Sequence, residues 1–96
     1  MFRHVALFRW VEGTTDAQVE SLRRDLDALP AVIPELRAYR VGADVGLVDA
    51  NWDFAVVADF DDVDGWRSYL AHAAHQRVIE RHIRGMVGER AAVQFQ

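Results

Sequence analysis

The sequence predicts an α+β fold in which four antiparallel strands are covered on one face by helices, in the order β-α-β-β-α-β. Three observations carry that expectation. The segments Phe2 to Val11 and Trp52 to Phe60 alternate in the manner of strands, and apolar residues recur at helical spacing after Thr15 and again from Asp61 to about Gly85. Turn-forming residues separate these segments, as at Glu12-Gly13 and from Gly42 to Asn51.

In the first strand Phe2, His4, Ala6, Phe8 and Trp10 share one face, and Arg3, Val5, Leu7, Arg9 and Val11 the other. Both sets are apolar in their middles, so both faces of this strand are expected to be covered. Thr15 followed three residues later by Gln18 is a capping-box pattern, and Val19, Leu22, Leu26 and Leu29 form the buried stripe of the helix it opens. Pro30 and Pro34 bracket the end of that helix. A second strand is expected from about Leu36 to Val41. The segment Gly42 to Asn51 reads as a loop with apolar anchors, long enough to act as a lid or to pack on a partner.

In the third strand, Trp52, Phe54, Val56, Ala58 and Phe60 face one way, and Asp53, Ala55, Val57 and Asp59 the other. Asp61 is the expected cap of the second helix, which turns Val63, Trp66, Tyr69 and Leu70 inward. A third helix follows His72-Ala73-Ala74, with its stripe at Val78, Ile79, Ile83, Met86 and Val87, and ends near Gly85 to Gly88. His75 and His82 fall within that stripe. Ala91 to Gln96 closes the sheet. This order is ferredoxin-like, with residues 1–96 as one domain.

The other sheet face keeps Val5, Leu7, Ala55 and Val57 without a covering helix. Two such sheets packed face to face would hide them, so the expected partner is a second copy, in a homodimeric α/β barrel. A chain of 96 residues that is 51% hydrophobic and has no cysteine excludes disulfides and thiol redox chemistry. A net charge of −4, with Arg77, Arg81, Arg84 and Arg90 interleaved with Glu80 and Glu89, argues against a nucleic-acid partner. The amino-terminal run has neither spanning length nor a small-residue cleavage site, so no membrane association is expected and the default compartment is the cytoplasm.

The chemistry-bearing stretch is Ser68 to His82, which holds three of the four histidines. Tyr69, His72 and His75 are spaced by three, returning them to one side of a helical turn. A neutral imidazole, with an ordinary pKa of about 6.5, takes a proton near neutral pH, which makes His75 a candidate general base. Tyr69 could orient it or donate to a developing enolate. The same residues also read as a histidine satisfied at a helix start and a core tyrosine. His4 faces the helices and needs a partner or a ligand, while His72 reads as a helix cap or terminator. No HExxH pattern, cysteine pair or carboxylate cluster supports a metal, and no glycine-rich phosphate loop is present.

The early His4, the aromatic third strand and Tyr69-Leu70-Ala71-His72-Ala73-Ala74-His75 together resemble the stress-responsive dimeric α/β barrel family, whose members typically carry Tyr, two residues, then His-Pro-x-His. The resemblance extends to the polyketide cyclases of that family, of the olivetolic acid cyclase type, which close a ring by aldol condensation without metal or organic cofactor. It implies His75 as general base, Tyr69 beside it and His4 as a pocket histidine. Phe54 stands where those cyclases carry another pocket histidine, and Ala73 where the proline is usual. Phe54, Phe8, Trp66 and His72 are the expected substrate-binding residues, for a small, apolar, carbonyl-rich ligand and no cofactor. Two other functions are open: a non-catalytic barrel that binds a hydrophobic molecule, and a monooxygenase of the related dimeric barrels.

Overall fold

The computed structural model describes all 96 residues, Met1–Gln96. Its sheet is built from β1 (Phe2–Trp10), β2 (Ala38–Ala43), β3 (Phe54–Phe60) and β4 (Val87–Phe95), in the spatial order β2-β3-β1-β4 with every neighbour antiparallel. Helices α1 (Asp16–Asp27), α2 (Val63–Ala71), α3 (Ala73–Val78) and α4 (Arg84–Met86) complete the ferredoxin-like arrangement. A 3₁₀ turn at Leu29–Ala31 follows α1, and one turn of π-helix at Ile79–Ile83 joins α3 to α4.

The capping box of α1 forms as the sequence implies. The Thr15 hydroxyl accepts from the Gln18 N–H at 3.2 Å, and the Gln18 side chain accepts from the Thr15 N–H at 2.8 Å. Leu22, Leu26 and Leu29 are buried against the sheet, while Val19 is half-buried. The alternation in β3 also holds, with Phe54, Val56, Ala58 and Phe60 all buried on the helix-covered side.

Several boundaries differ from the expectation. The cap of α2 is Asp62, whose carboxylate accepts from the Gly65 N–H at 3.0 Å; Asp61 instead pairs with Arg37 at 2.9 Å. Asp59 is likewise engaged, taking both ends of the Arg3 guanidinium at 2.7 and 2.8 Å. β2 lies two residues later than predicted, so Gly42 and Ala43 belong to the sheet, and β3 begins at Phe54 rather than Trp52. β4 starts at Val87 instead of Ala91, because its backbone continues to pair with β1 through Glu89 and Arg90. Val87 therefore belongs to a strand and not to the helical stripe.

The long helix expected after Ala74 widens by one residue near its end. The Arg84 N–H reaches the Ile79 carbonyl five positions back, the signature of a π turn. His82 points inward as its position in the stripe implies, and its Nε2 lies 2.6 Å from the Asp25 carboxylate on α1. That bond ties the carboxy-terminal helices to α1 and gives the buried ring its polar partner.

The face opposite the helices has an apolar middle. Val5 lies between Val57 of β3 and Val93 of β4, and Leu7 between Ala55 and Ala91. Charged groups sit at either end of it, the Arg3–Asp59 pair at one and Arg9 with Glu89 at the other.

Candidate active site

On the helix side of the sheet lies a cavity of about 290 Å³. His4, Ala6 and Phe8 of β1 and Val56 of β3 form its floor, and Leu26 of α1 one wall. Tyr69 and Leu70 of α2, His75 of α3, and Ile79 and Ile83 of the π turn close it from above, with Arg90 of β4 completing the lining. A wider open groove of about 540 Å³ runs between α1 and α3, but its polar lining is Asp25, Arg77, Glu80 and Arg81 and it holds no histidine or tyrosine.

His75 and Tyr69 meet by a route other than a continuous helix. The chain leaves helical geometry at His72 (φ −64°, ψ 134°), which ends α2 and starts α3. The corner brings the His75 ring to 4.2 Å from the Tyr69 ring, centroid to centroid. His72 is left out of this pair. Its Nδ1 accepts from the Ala74 N–H at 3.1 Å, so it caps α3, and it does not line the cavity. A histidine imidazole here does the work that Ser or Asp usually does at such a position.

His4 stands on the neighbouring strand, its ring 6.4 Å from Tyr69. The Gln94 side-chain amide on β4 donates to its Nδ1 at 2.9 Å, which leaves the proton of the neutral ring on Nε2. Burial is the main cause that pushes His4 down to about 4, helped by the positive charge of Arg90 and by His75. His75 is also held below its ordinary value, chiefly by burial; the Leu70 carbonyl opposes this, and Arg90 and His72 add to it. The Leu70 oxygen is already held by Gln76 Nε2 at 2.6 Å, and His75 Nδ1 is buried with no hydrogen-bond partner.

The Tyr69 hydroxyl lies 3.0 Å from the Tyr39 hydroxyl of β2. Burial pushes Tyr69 up to about 12, against the opposing effects of Tyr39 and Arg90. Tyr39 is pushed higher still, by burial and by Tyr69 itself. Either hydroxyl can donate in this pair. In the arrangement where Tyr39 donates to Tyr69, the Tyr69 proton is free for the cavity.

Among the residues expected to bind substrate, Phe8 lines the cavity and Phe54, Trp66 and His72 do not. Phe54 is buried farther along the sheet, stacked on Phe8 at 6.3 Å and packed against Trp10 at 5.5 Å. Trp66 packs on Phe2 and on His4, 5.7 and 5.9 Å away, with its indole N–H buried and unpartnered. Of the two roles expected for the loop, lid or partner contact, it is no lid over this cavity: no residue from Asp44 to Asp53 lines it, and Val45 and Leu47 are 82% and 84% exposed. Arg90 and Tyr39 were not foreseen. The alternation of β2 could have revealed Tyr39, since Tyr39 and Val41 share the inward face. Extending β4 to the length of β1 would have revealed Arg90.

The cavity's only metal-ligating side chains are His4 and His75, and no group of three or more His, Cys, Asp or Glu side chains converges anywhere in the chain. Its chemical equipment is thus two neutral imidazoles, one phenolic proton and one guanidinium.

The lowered histidines make stability depend on pH. Between about 4 and about 6.5 the unfolded chain binds more protons at these positions than the folded one, so stability rises with pH across that window. The contribution is fully present above about pH 6.5 and is lost as pH falls toward the folded values. The urea midpoint of the wild type is expected to drop across this range, and that of His4→Gln to drop less. Equal slopes for the two proteins would show that His4 is not the group responsible.

Comparison with known proteins places this geometry in a family. The stress responsive A/B barrel domain matches residues 2–96. A dimeric ferredoxin-like protein of unknown function from Thermobifida fusca superimposes with a TM-score of 0.90 at 50% identity, over 98% of this chain and 88% of that one. The uncharacterized protein SCO4036 of Streptomyces coelicolor is 33% identical over 82 residues, which are 79% of this chain and 80% of its own. A hydroxynitrile lyase from Passiflora edulis shares the fold alone, with a TM-score of 0.83 at 14% identity over 98% of this chain and 90% of that one. The chain belongs to the stress-responsive A/B barrel domain family.

Proposed function

We propose that the protein is a cofactor-independent acid–base enzyme that deprotonates carbon beside a carbonyl, with aldol-type ring closure of a short poly-β-ketone as its reaction and His75 as general base. The observation that carries this reading is the convergence of His4, Tyr69 and His75 on one apolar cavity. Its acid–base groups suit such a reaction. A methylene between two carbonyls is acidic enough for a neutral imidazole to attack without a metal.

In this reading His75 takes a proton from that methylene, and the electron pair of the C–H bond moves onto the carbonyl oxygen as an enolate. Tyr69 donates its proton in a hydrogen bond to that oxygen, and Tyr39 holds the Tyr69 oxygen from behind. The enolate carbon then bonds to a second carbonyl carbon of the same molecule. That bond closes the ring; the resulting alkoxide recovers the proton from the His75 imidazolium, and the new hydroxyl then leaves as water with a proton from the adjacent carbon, giving a C=C double bond. His4, neutral at working pH, positions a carbonyl by donating from Nε2. The apolar walls keep water from quenching the enolate.

We also propose that the working form is a homodimer. The apolar middle of the uncovered sheet face supports this, as does the dimeric Thermobifida fusca protein at 50% identity.

Proton NMR in D₂O tests the reaction directly. Loss of the methylene signal of a linear triketone is expected to be faster with the protein than in buffer, and to slow by about tenfold or more in Tyr69→Phe, where one oxyanion donor is lost. No acceleration over buffer would refute the enzyme and leave a barrel that binds small hydrophobic molecules.

A further inference from the structure

The proposed reaction uses His75, Tyr69 and His4, but it leaves Arg90 without a task. Arg90 stands opposite Phe8 on the helix-facing side of β4, so it belongs to the cavity face and not to the bare face of the sheet. It is the only charged residue in the lining. Its neighbour Glu89 faces the other way and pairs with Arg9 at 3.8 Å. Arg90 itself takes part in no ion pair, and no carboxylate lines the cavity to neutralise it.

 Arg3, Arg9, Arg23, Arg24, Arg37, Arg67, Arg81 and Arg84 all have acidic partners, whereas Arg40, Arg77 and Arg90 have none. Of those three, only Arg90 faces this cavity.

The surroundings of Arg90 are unusual for a cation. Behind it stand two neutral imidazoles and a neutral phenol, and every other lining residue is apolar. Its charge acts on all three polar groups, lowering each. The guanidinium itself reaches water, so it costs little to keep charged while the site is empty. The result is an apolar chamber with a positive fork beside it. A guanidinium matches the two oxygens of a carboxylate in one plane, and that match is lost when the carboxylate is esterified.

We infer that this cavity takes a small amphiphile whose carbonyl-bearing apolar body fills the chamber and whose carboxylate is held by Arg90. Arg90 is thus the residue that selects the substrate and sets which carbon lies beside His75. The volume of about 290 Å³ fits a short chain, at the small end of ligand pockets. The reaction assigned to this ligand rests on the proposed function, but the binding preference does not.

Calorimetry with a straight-chain β-diketone ending in a carboxylate, and with the methyl ester of the same molecule, tests the inference. The wild type is expected to bind the acid about ten- to a hundredfold more tightly than the ester. Arg90→Gln should bring the two affinities together, and Arg90→Lys should restore part of the difference by charge without the fork. His75→Ala should keep the preference intact. Because Arg90 is exposed and unpaired, its replacement breaks no ion pair. Equal affinities in the wild type, a preference that survives Arg90→Gln, or no binding of either compound would each overturn the inference. A preference for the acid without deuterium exchange would refute the reaction and uphold Arg90. Exchange without a preference would do the reverse.

Discussion

His75→Ala is expected to slow deuterium exchange at the substrate methylene by about 10²- to 10⁴-fold, the range that removal of a general base produces. The variant should fold. His75 Nδ1 has no protein partner, so the substitution leaves no buried group newly unsatisfied, and the ring is half-buried rather than part of the central core. The main structural loss is its contact with Tyr69, at 4.2 Å between centroids. The pH profile adds a second readout. Catalysis needs the neutral imidazole, and burial and Arg90 hold His75 below its ordinary 6.5. The rate should therefore be level at neutral pH and fall on the acid side, with its midpoint below about 6.5. In Arg90→Gln the midpoint should move upward, because one source of the lowering is gone. A wild-type rate in His75→Ala, or an acid limb centred above 6.5, would remove His75 from the mechanism.

The parts of this molecule that a reader could obtain from the sequence are those decided by local chemistry. Thr15 and Gln18 announce the start of α1 because a capping box needs only four residues in order. The buried side of β3 is legible because strand alternation is strict and its inward positions are large and apolar. His4, Tyr69 and His75 could be nominated together through the family resemblance, and the fold does bring them to one cavity.

What stayed hidden depends on partners distant in sequence. Asp61 and Asp62 are equally good caps as residues, and only the ion pair with Arg37 separates them. Gly88, Glu89 and Arg90 do not look like a strand, yet pairing with β1 extends β4 through them and so delivers Arg90 to the site. The Tyr39–Tyr69 bond joins β2 to α2 across thirty positions of chain. The π turn has no sequence mark, since apolar residues four apart fit an α-turn equally well. His72 lies at helical spacing from both Tyr69 and His75, but the chain turns a corner there, and that removes it from the cavity.

Val5→Asp is expected to convert the proposed dimer to a monomer. Val5 sits at the middle of the uncovered face, between Val57 and Val93, with no cation directly opposite; a charge at Val57 would instead face Arg40. The nearest arginine along its own strand, Arg3, is already committed to both oxygens of Asp59. In a two-fold interface each substitution occurs twice, and an unpaired buried charge costs about 3–5 kcal/mol. Dissociation should thus be favoured by more than about a thousandfold. Sedimentation at micromolar concentration should give the wild type twice the 10.9 kDa chain mass and the variant the chain mass itself. Val93→Asp provides a second route, because Val93 lies on the edge strand and is 54% exposed in the single chain. If both variants remain dimeric, the sheet face is not the interface. The consequence for function is equally specific. The cavity lies on the opposite side of the sheet from Val5. A folded monomer should therefore keep deuterium exchange per chain close to the wild-type rate, whereas loss of exchange on dissociation would mean that the dimer holds the helices over the site in their working positions.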